Sequence, residues 1–203
     1  MIIARKQRVW FPGATYHIME RGIRRQEIYK EESDYQAFLA MLKSSLEKYE
    51  CILHAYCLMT NHFHMLLETS KIDISKFMKH LAGCYALYFN KKYMYQGHLF
   101  EGRYKAVLVK DDTYFLQTSR YIHLNPVKAG IVENAEDYLW SSYRTMIRMN
   151  NDKITQNSRT HAYFGKNSVM GYRRFVEDIG QKYVIKDDSV RGSEKEEDLW
   201  LPW

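Results

Sequence analysis

No stretch of this 203-residue chain is both long and free of charge. A membrane-crossing helix needs about 20 consecutive apolar residues, and none is offered. The opening "MIIARKQRVWFPG" carries charges where a secretory signal has its apolar run. The expectation is therefore a protein with no membrane segment. Cysteine is scarce as well. Cys51, Cys57 and Cys84 form no CxxC pair and are odd in number, which argues against a disulfide framework or a thiolate metal site. Each sits in an apolar-periodic segment, where a free thiol behaves as a small hydrophobe. They read as reduced core residues of a cytoplasmic protein. No internal repeat recurs along the chain, so a solenoid is excluded.

What the chain does have is apolar mass and positive charge. Hydrophobic residues make up 46% and aromatics 15%, enough to bury one core of ordinary size. Lysine and arginine outnumber the acids by 30 to 24, and the excess is uneven. Residues 1–30 hold Arg5, Lys6, Arg8, Arg21, Arg24, Arg25 and Lys30 against Glu20 and Glu27, whereas residues 186–203 carry six acids against three bases. A basic, aromatic-rich body suits a polyanion, most commonly nucleic acid; a merely solvated basic surface is the alternative.

Periodicity gives an ordered set of elements. "TYHIME" (15–20) alternates and stops at Gly22, as a strand does. Tyr35, Phe38, Leu39, Leu42, Leu46 and Tyr49 share one helical face, with Ser33 or Asp34 placed as N-cap. "CILHAYCLM" and "HFHMLLE" are β-type runs joined by Thr60-Asn61, a hairpin signal. A second amphipathic helix starts from Asp73 and runs through Ile74, Phe77, Leu81, Cys84, Tyr85, Tyr88 and Phe89. A strand follows at roughly 104–110. Asp111 or Asp112 can cap a third helix, which Pro126 is expected to end. Two helices alternating with four short strands imply a ferredoxin-like α+β sandwich with an antiparallel sheet. The body is expected over residues 1–148, a polar linker with a short helix over 149–185, and an acidic tail of disorder-prone composition over 186–203.

One triplet stands apart. His62 and His64 flank Phe63, and residues two apart on a strand share a face. The two imidazoles therefore project together, away from a core taken up by Phe63, Met65 and Leu67. Such a pair can ligate a metal or can be a surface hydrogen-bonded pair; the triplet alone does not decide. On the third helix, Tyr121 and Asn125 lie four apart on one face, with Thr118 and Tyr114 further along it. An asparagine offers a carbonyl oxygen ligand, and a tyrosine beside a cation offers a nucleophile. Asn125 as a helix cap and Tyr121 as one of 17 mostly structural tyrosines are the alternatives.

The segments "NHFHMLLE", "GHLFEGRYKAVLV", "SRYIHLNPVKAGIV" and "YLWSSY", in that order, resemble the one-tyrosine HUH transposases, and within them the REP-associated tyrosine transposases. "PGATYHIMERGIRRQEIY" and "HAYCLMTNH" fit the same pattern, so the resemblance covers roughly residues 5–147. It implies a ferredoxin-like HUH nuclease fold with His62 and His64 as metal ligands and Tyr121 as nucleophile. Asn125 matches the third ligand, a position where other branches carry Gln. It further implies Mg²⁺ or Mn²⁺ as cofactor and action on single-stranded DNA folded into hairpins, through a 5′-phosphotyrosine. Monomers and homodimers both occur among such proteins, which associate with the nucleoid when on DNA. Arg21, Arg24, Arg25, Arg103 and Lys105 become candidates for phosphate contacts.

Two other classes stay open on the residues alone. A nucleic-acid-binding regulator could use the same fold without cutting. A zinc hydrolase could use the histidine pair, but a third His, Asp or Glu motif is lacking, and the chain is short for a barrel of about 250 residues. The acidic tail, with Trp200 and Trp203, could mimic DNA and dock on the basic face, or simply aid solubility.

Overall fold

The computed structural model describes residues 9–148 and 154–178. Four strands, β1 (Thr15–Arg21), β2 (Ile52–Met59), β3 (His62–Glu68) and β4 (Lys105–Leu108), form one antiparallel sheet in the order β2-β3-β1-β4. With α1 (Glu32–Tyr49) after β1 and α2 (Ile74–Tyr93) after β3, this is the expected ferredoxin-like α+β arrangement. Strands β2 and β3 join through the two residues Thr60 and Asn61. Among the described residues no helix is long and apolar enough to cross a membrane. Cys51, Cys57 and Cys84 are free thiols, the first two buried. The acidic segment 186–203 lies outside the described residues.

Alternation divides the sheet into two faces. Tyr16 and Ile18 of β1 with Phe63, Met65 and Leu67 of β3 face a core shared with Phe38 and Leu42 of α1 and Phe77, Leu81, Tyr85 and Phe89 of α2. The opposite face is covered too. There, Ala55, Cys57, Met59 and Leu66 pack against Phe115, Leu116, Ile122 and Leu124 of α3 (Asp112–Lys128). A bulge between Leu53 and Ala55 resets the alternation of β2, so Leu53 serves one core and Ala55 the other. The outer edge of β2 is closed by irregular chain: Leu58 N–H donates to the Trp140 carbonyl, Ser142 N–H to that of Tyr56, and Gln156 N–H to that of Leu53. A covered edge cannot recruit a foreign strand.

Three further helices, α4 (Tyr143–Arg148), α5 (Ser158–Ala162) and α6 (Ser168–Glu177), complete the second layer. The short helix expected near 171–180 is α6, and it reaches into the core through Tyr172, Phe175 and Val176. A buried polar junction ties it to α3: the Tyr172 hydroxyl bonds Ser119 Oγ at 2.6 Å and His123 Nδ1 at 2.7 Å, and His123 Nε2 bonds Ser142 Oγ at 2.8 Å. Arg120 adds bonds to the carbonyls of Val176 and Asp178.

Helix ends departed from expectation in two places. The N-cap of α1 is Glu31, not Ser33 or Asp34. Asp34 sits at the third helical position, where its buried carboxylate accepts the backbone N–H groups of Lys30 and Glu31 and is held by Lys92 Nζ at 2.6 Å and the Tyr93 hydroxyl at 2.7 Å. Those partners come from α2, so local sequence could not announce them. Pro126 does not end α3; it is buried, and the helix continues to Lys128. A proline removes only its own N–H, and Ala129 N–H still reaches the Asn125 carbonyl at 3.0 Å. Asp111 caps α3 as expected, accepting from Tyr114 N–H, and Asp73 caps α2, accepting from Ser75 N–H.

Two stability predictions follow from the second layer. Tyr172→Phe strips the shared hydroxyl from Ser119 and His123 with almost no change in volume, and should cost about 1–3 kcal/mol; an unchanged denaturation midpoint would show that the junction contributes nothing. Burial also depresses His17 and His62 to about 4, His123 to about 3, and His64 well below 6.5. A depressed histidine stabilises fully above its unfolded value of 6.5, and that contribution is lost as pH falls towards the folded value. Glu20 acts oppositely, since burial raises it to about 8. At pH 5 these four histidines, with His54 lowered in the same direction, outweigh Glu20, so unfolding takes up protons overall. The melting temperature of metal-free protein should fall steadily from pH 6.5 to 4.5; a flat or rising profile contradicts this.

Candidate active site

Strand register builds the site. On the α3 side of the sheet, Arg21 pairs with His62 and Met19 with His64 across β1 and β3, while Cys57 flanks His64 from β2. His17, two residues before Met19, reaches the same spot on the diagonal. Its Nε2 lies 3.1 Å from His64 Nδ1. The His62 and His64 rings stand edge to face with centres 5.0 Å apart.

Helix α3 lays Tyr121 over this group. Its ring centre is 5.5 Å from His64 and 5.7 Å from His17, edge-on to both. The Asn125 side chain hydrogen-bonds His62. On its other side, His62 Nδ1 donates to Asn61 Oδ1 at 2.7 Å, which leaves the lone pair of His62 on Nε2. The structure thus brings together His62, His64, Tyr121 and Asn125. Tyr114 instead sits at the start of α3, its N–H on the Asp111 cap. The histidine face is no free surface: His64 is fully buried and His17 is 6% exposed, because α3 closes over them. Burial is the main reason that His17, His62 and His64 are held neutral, with Arg21 adding to it at His62 and neighbouring histidines at His64.

One atom in the group stands out. His64 Nε2 is buried and has no hydrogen-bond partner among the described residues, an arrangement that costs free energy unless something fills the position. Among the described residues no three His, Cys, Asp or Glu side chains form a metal cage. Two neutral imidazoles and an amide oxygen nevertheless make a donor set that suits a divalent cation, so the residues fit the Mg²⁺ or Mn²⁺ that the resemblance implies.

Beside His62 a cleft of about 360 Å³ opens, lined by Met19, Glu20, Arg21, His62, Glu101, Arg103 and Lys105. Three of the five expected phosphate-contact residues therefore gather next to the histidines. Arg21 is held by Glu101, with Nη2 and Nε at 2.6 and 3.0 Å from one carboxylate oxygen. The other two, Arg24 and Arg25, sit outside the cleft lining, exposed on a turn at Ile23–Arg25 with φ of 53° and 61°. This turn is anchored by Gly22, where a Cβ would meet the Gln26 carbonyl oxygen at 2.3 Å. Sequence reasoning missed three members: His17, Asn61 and Lys128, whose Nζ lies 4.8 Å from the Tyr121 ring centre. Lys128 had a signal, the seven-residue spacing from Tyr121 that keeps both on one helical face. His17 had only its strand alternation, without the register that brings it to His64.

One solved structure shares this architecture. A solved REP-associated tyrosine transposase bound to a REP hairpin superposes with a TM-score of 0.62 over 72% of this chain and 86% of its own, at 16% identity, which establishes the fold. A transposase from Deinococcus radiodurans R1 covers 59% of this chain and 95% of its own at 21% identity, with a TM-score of 0.43. In sequence, a REP-associated tyrosine transposase of Haemophilus influenzae (strain ATCC 51907 / DSM 11121 / KW20 / Rd) is 25% identical over 128 residues, 57% of this chain and 73% of that protein. The family model described as "Transposase IS200 like" matches residues 11–125, a span that runs from the approach to β1 through Tyr121 and ends on Asn125. The chain belongs to the IS200-like transposase family, whose members are enzymes acting on DNA.

Proposed function

We propose that this transposase cuts and rejoins single-stranded, hairpin-forming DNA through a covalent link to Tyr121, with Mg²⁺ or Mn²⁺ held by His62, His64 and Asn125. The observation that carries the reading is the placement of the Tyr121 ring edge-on to His64, whose buried Nε2 has no hydrogen-bond partner among the described residues. The solved relative bound to a REP hairpin supports a hairpin substrate.

The Tyr121 oxygen attacks the scissile phosphorus, a P–O bond forms to tyrosine, and the bond to the departing 3′ oxygen breaks. The phenolic proton is lost and the departing oxygen takes one up, leaving a 3′-hydroxyl and a 5′-phosphotyrosine. A second 3′-hydroxyl reverses the step at a new junction, and no nucleotide cofactor is consumed because the phosphodiester energy stays in the link. A bound divalent cation supplies Lewis-acid polarisation of the phosphate and offsets its charge. A free tyrosine has a pKa of about 10, so the phenolate needs support, and Lys128 above the ring contributes a favourable field. Arg103 and Lys105 of the cleft take the phosphates on either side, while Arg21 exchanges Glu101 for a DNA phosphate.

Tyr121→Phe removes one oxygen and should leave the melting temperature within about 1 °C. The covalent protein–DNA band on a denaturing gel should vanish while gel-shift binding of a cognate hairpin survives; a persistent 5′-linked adduct would place the nucleophile elsewhere. Cleavage should stop in excess EDTA and return with added Mg²⁺ or Mn²⁺. Because His64 is fully buried, His64→Ala also opens a cavity, and half-buried His62 is the cleaner probe: His62→Ala should lose cleavage and keep its fold, whereas full activity in chelator would sink the metal.

A further inference from the structure

His17 lies outside the nucleophile and ligand set yet touches both. It faces His64 on the same side of the sheet, and the two nitrogens, His17 Nε2 and His64 Nδ1, stand 3.1 Å apart with both rings buried. At that distance one ring donates and the other accepts. If His17 donated, the His64 proton would sit on Nε2, a buried N–H with no acceptor. If His64 donates instead, its Nε2 carries a lone pair directed into the space beside His62 and Tyr121. The neighbouring ligand shows the same device, since His62 Nδ1 donates to Asn61 Oδ1 at 2.7 Å and leaves Nε2 for the site. The His17 ring also meets the Tyr121 ring edge-on at 5.7 Å.

We propose that His17 is a positioning residue: it accepts the Nδ1–H of His64, sets that ring's tautomer and orientation, and so presents His64 Nε2 to a divalent cation beneath Tyr121. The inference rests on the metal site put forward above and deepens it. Partners of ligating histidines commonly govern metal affinity by about 10- to 100-fold when removed, and His17 is the group that fills this place for His64. It does not touch substrate or metal itself; it acts through His64, from a neighbouring strand whose register places it there.

The test uses Mn²⁺ alone as probe, read by loss of its free-ion electron paramagnetic resonance signal in the DNA-free full chain. His17→Leu keeps volume and loses the acceptor; His17→Gln restores an acceptor near the former Nε2. The Leu variant should bind Mn²⁺ about 10- to 100-fold more weakly, with a melting temperature in chelator close to wild type, and Gln should recover most of the loss. Equal affinity in Leu and wild type, or no recovery with Gln, overturns the proposal. Should Leu fail to fold, histidine ¹⁵N NMR of the metal-free wild type decides directly: His64 protonated on Nδ1 supports it, and protonated on Nε2 overturns it. A wild type that binds no Mn²⁺, or a His62→Ala variant that binds as tightly, instead overturns the metal site and this inference with it.

Discussion

Helix α3 rests against the sheet face that carries the histidines, and every feature of the site depends on that contact. Tyr121 and Asn125 come from this helix, while His17, His62 and His64 come from two strands. Their meeting is a matter of where one helix is pinned. Two sets of forces pin it. Phe115, Leu116, Ile122 and Leu124 bury apolar surface against β2 and β3 and against α4 and α6, the non-directional term that favours any close approach. Direction comes from the polar junction of Ser119, His123, Ser142 and Tyr172, because buried hydrogen bonds are satisfied in one arrangement and costly in others. His123 lies midway between Tyr121 and Asn125, so the junction holds the helix where its placement matters most.

The same closure sets the electrostatics. Covering the histidine face removes water from three imidazoles and keeps them neutral, the state in which a nitrogen lone pair can ligate a cation. Just outside the covered region the cleft turns basic through Arg21, Arg103 and Lys105. A buried neutral pocket therefore lies beside an accessible cationic rim, and a rim of that sign attracts polyanions. Arg21 spans both zones, pairing across strands with His62 and holding Glu101 at the cleft. Glu20, on the next position of β1, is buried with one carboxylate oxygen unpartnered, and burial raises it to about 8, so the cleft's inner wall adds little negative charge.

Much of this was legible in residue order because it is local. Strand alternation showed that His62 and His64 share a face, the Thr60-Asn61 pair showed the hairpin, and four-residue spacing placed Tyr121 with Asn125. Asp73 and Asp111 declared their caps by chemistry that reaches only two or three residues. Where the reading failed, the deciding partner came from far along the chain. Asp34 looked like an N-cap because Lys92 and Tyr93, the partners of its buried carboxylate, are 58 and 59 residues away. Pro126 looked like a terminator because the packing that buries it cannot be seen from a proline's neighbours. How deeply a helix nearly 50 residues later buries these histidines is not written in "HFHMLLE".

By itself, then, the sequence determined the elements, their order and the faces on which the chemical groups stand, since these follow from backbone geometry with periods of 2 and 3.6 residues. The motifs, in register, carried the family. Tertiary structure alone decided which faces meet. Register between β1 and β3 brought His17 to His64, a pairing set by the whole hydrophobic pattern of two strands 47 residues apart. The docking of α3, held by α6 from beyond the family-matched region, buried His64 fully and His62 in part beneath a tyrosine. Contacts of that kind depend on the summed burial of many distant side chains, and no short window of residues contains them.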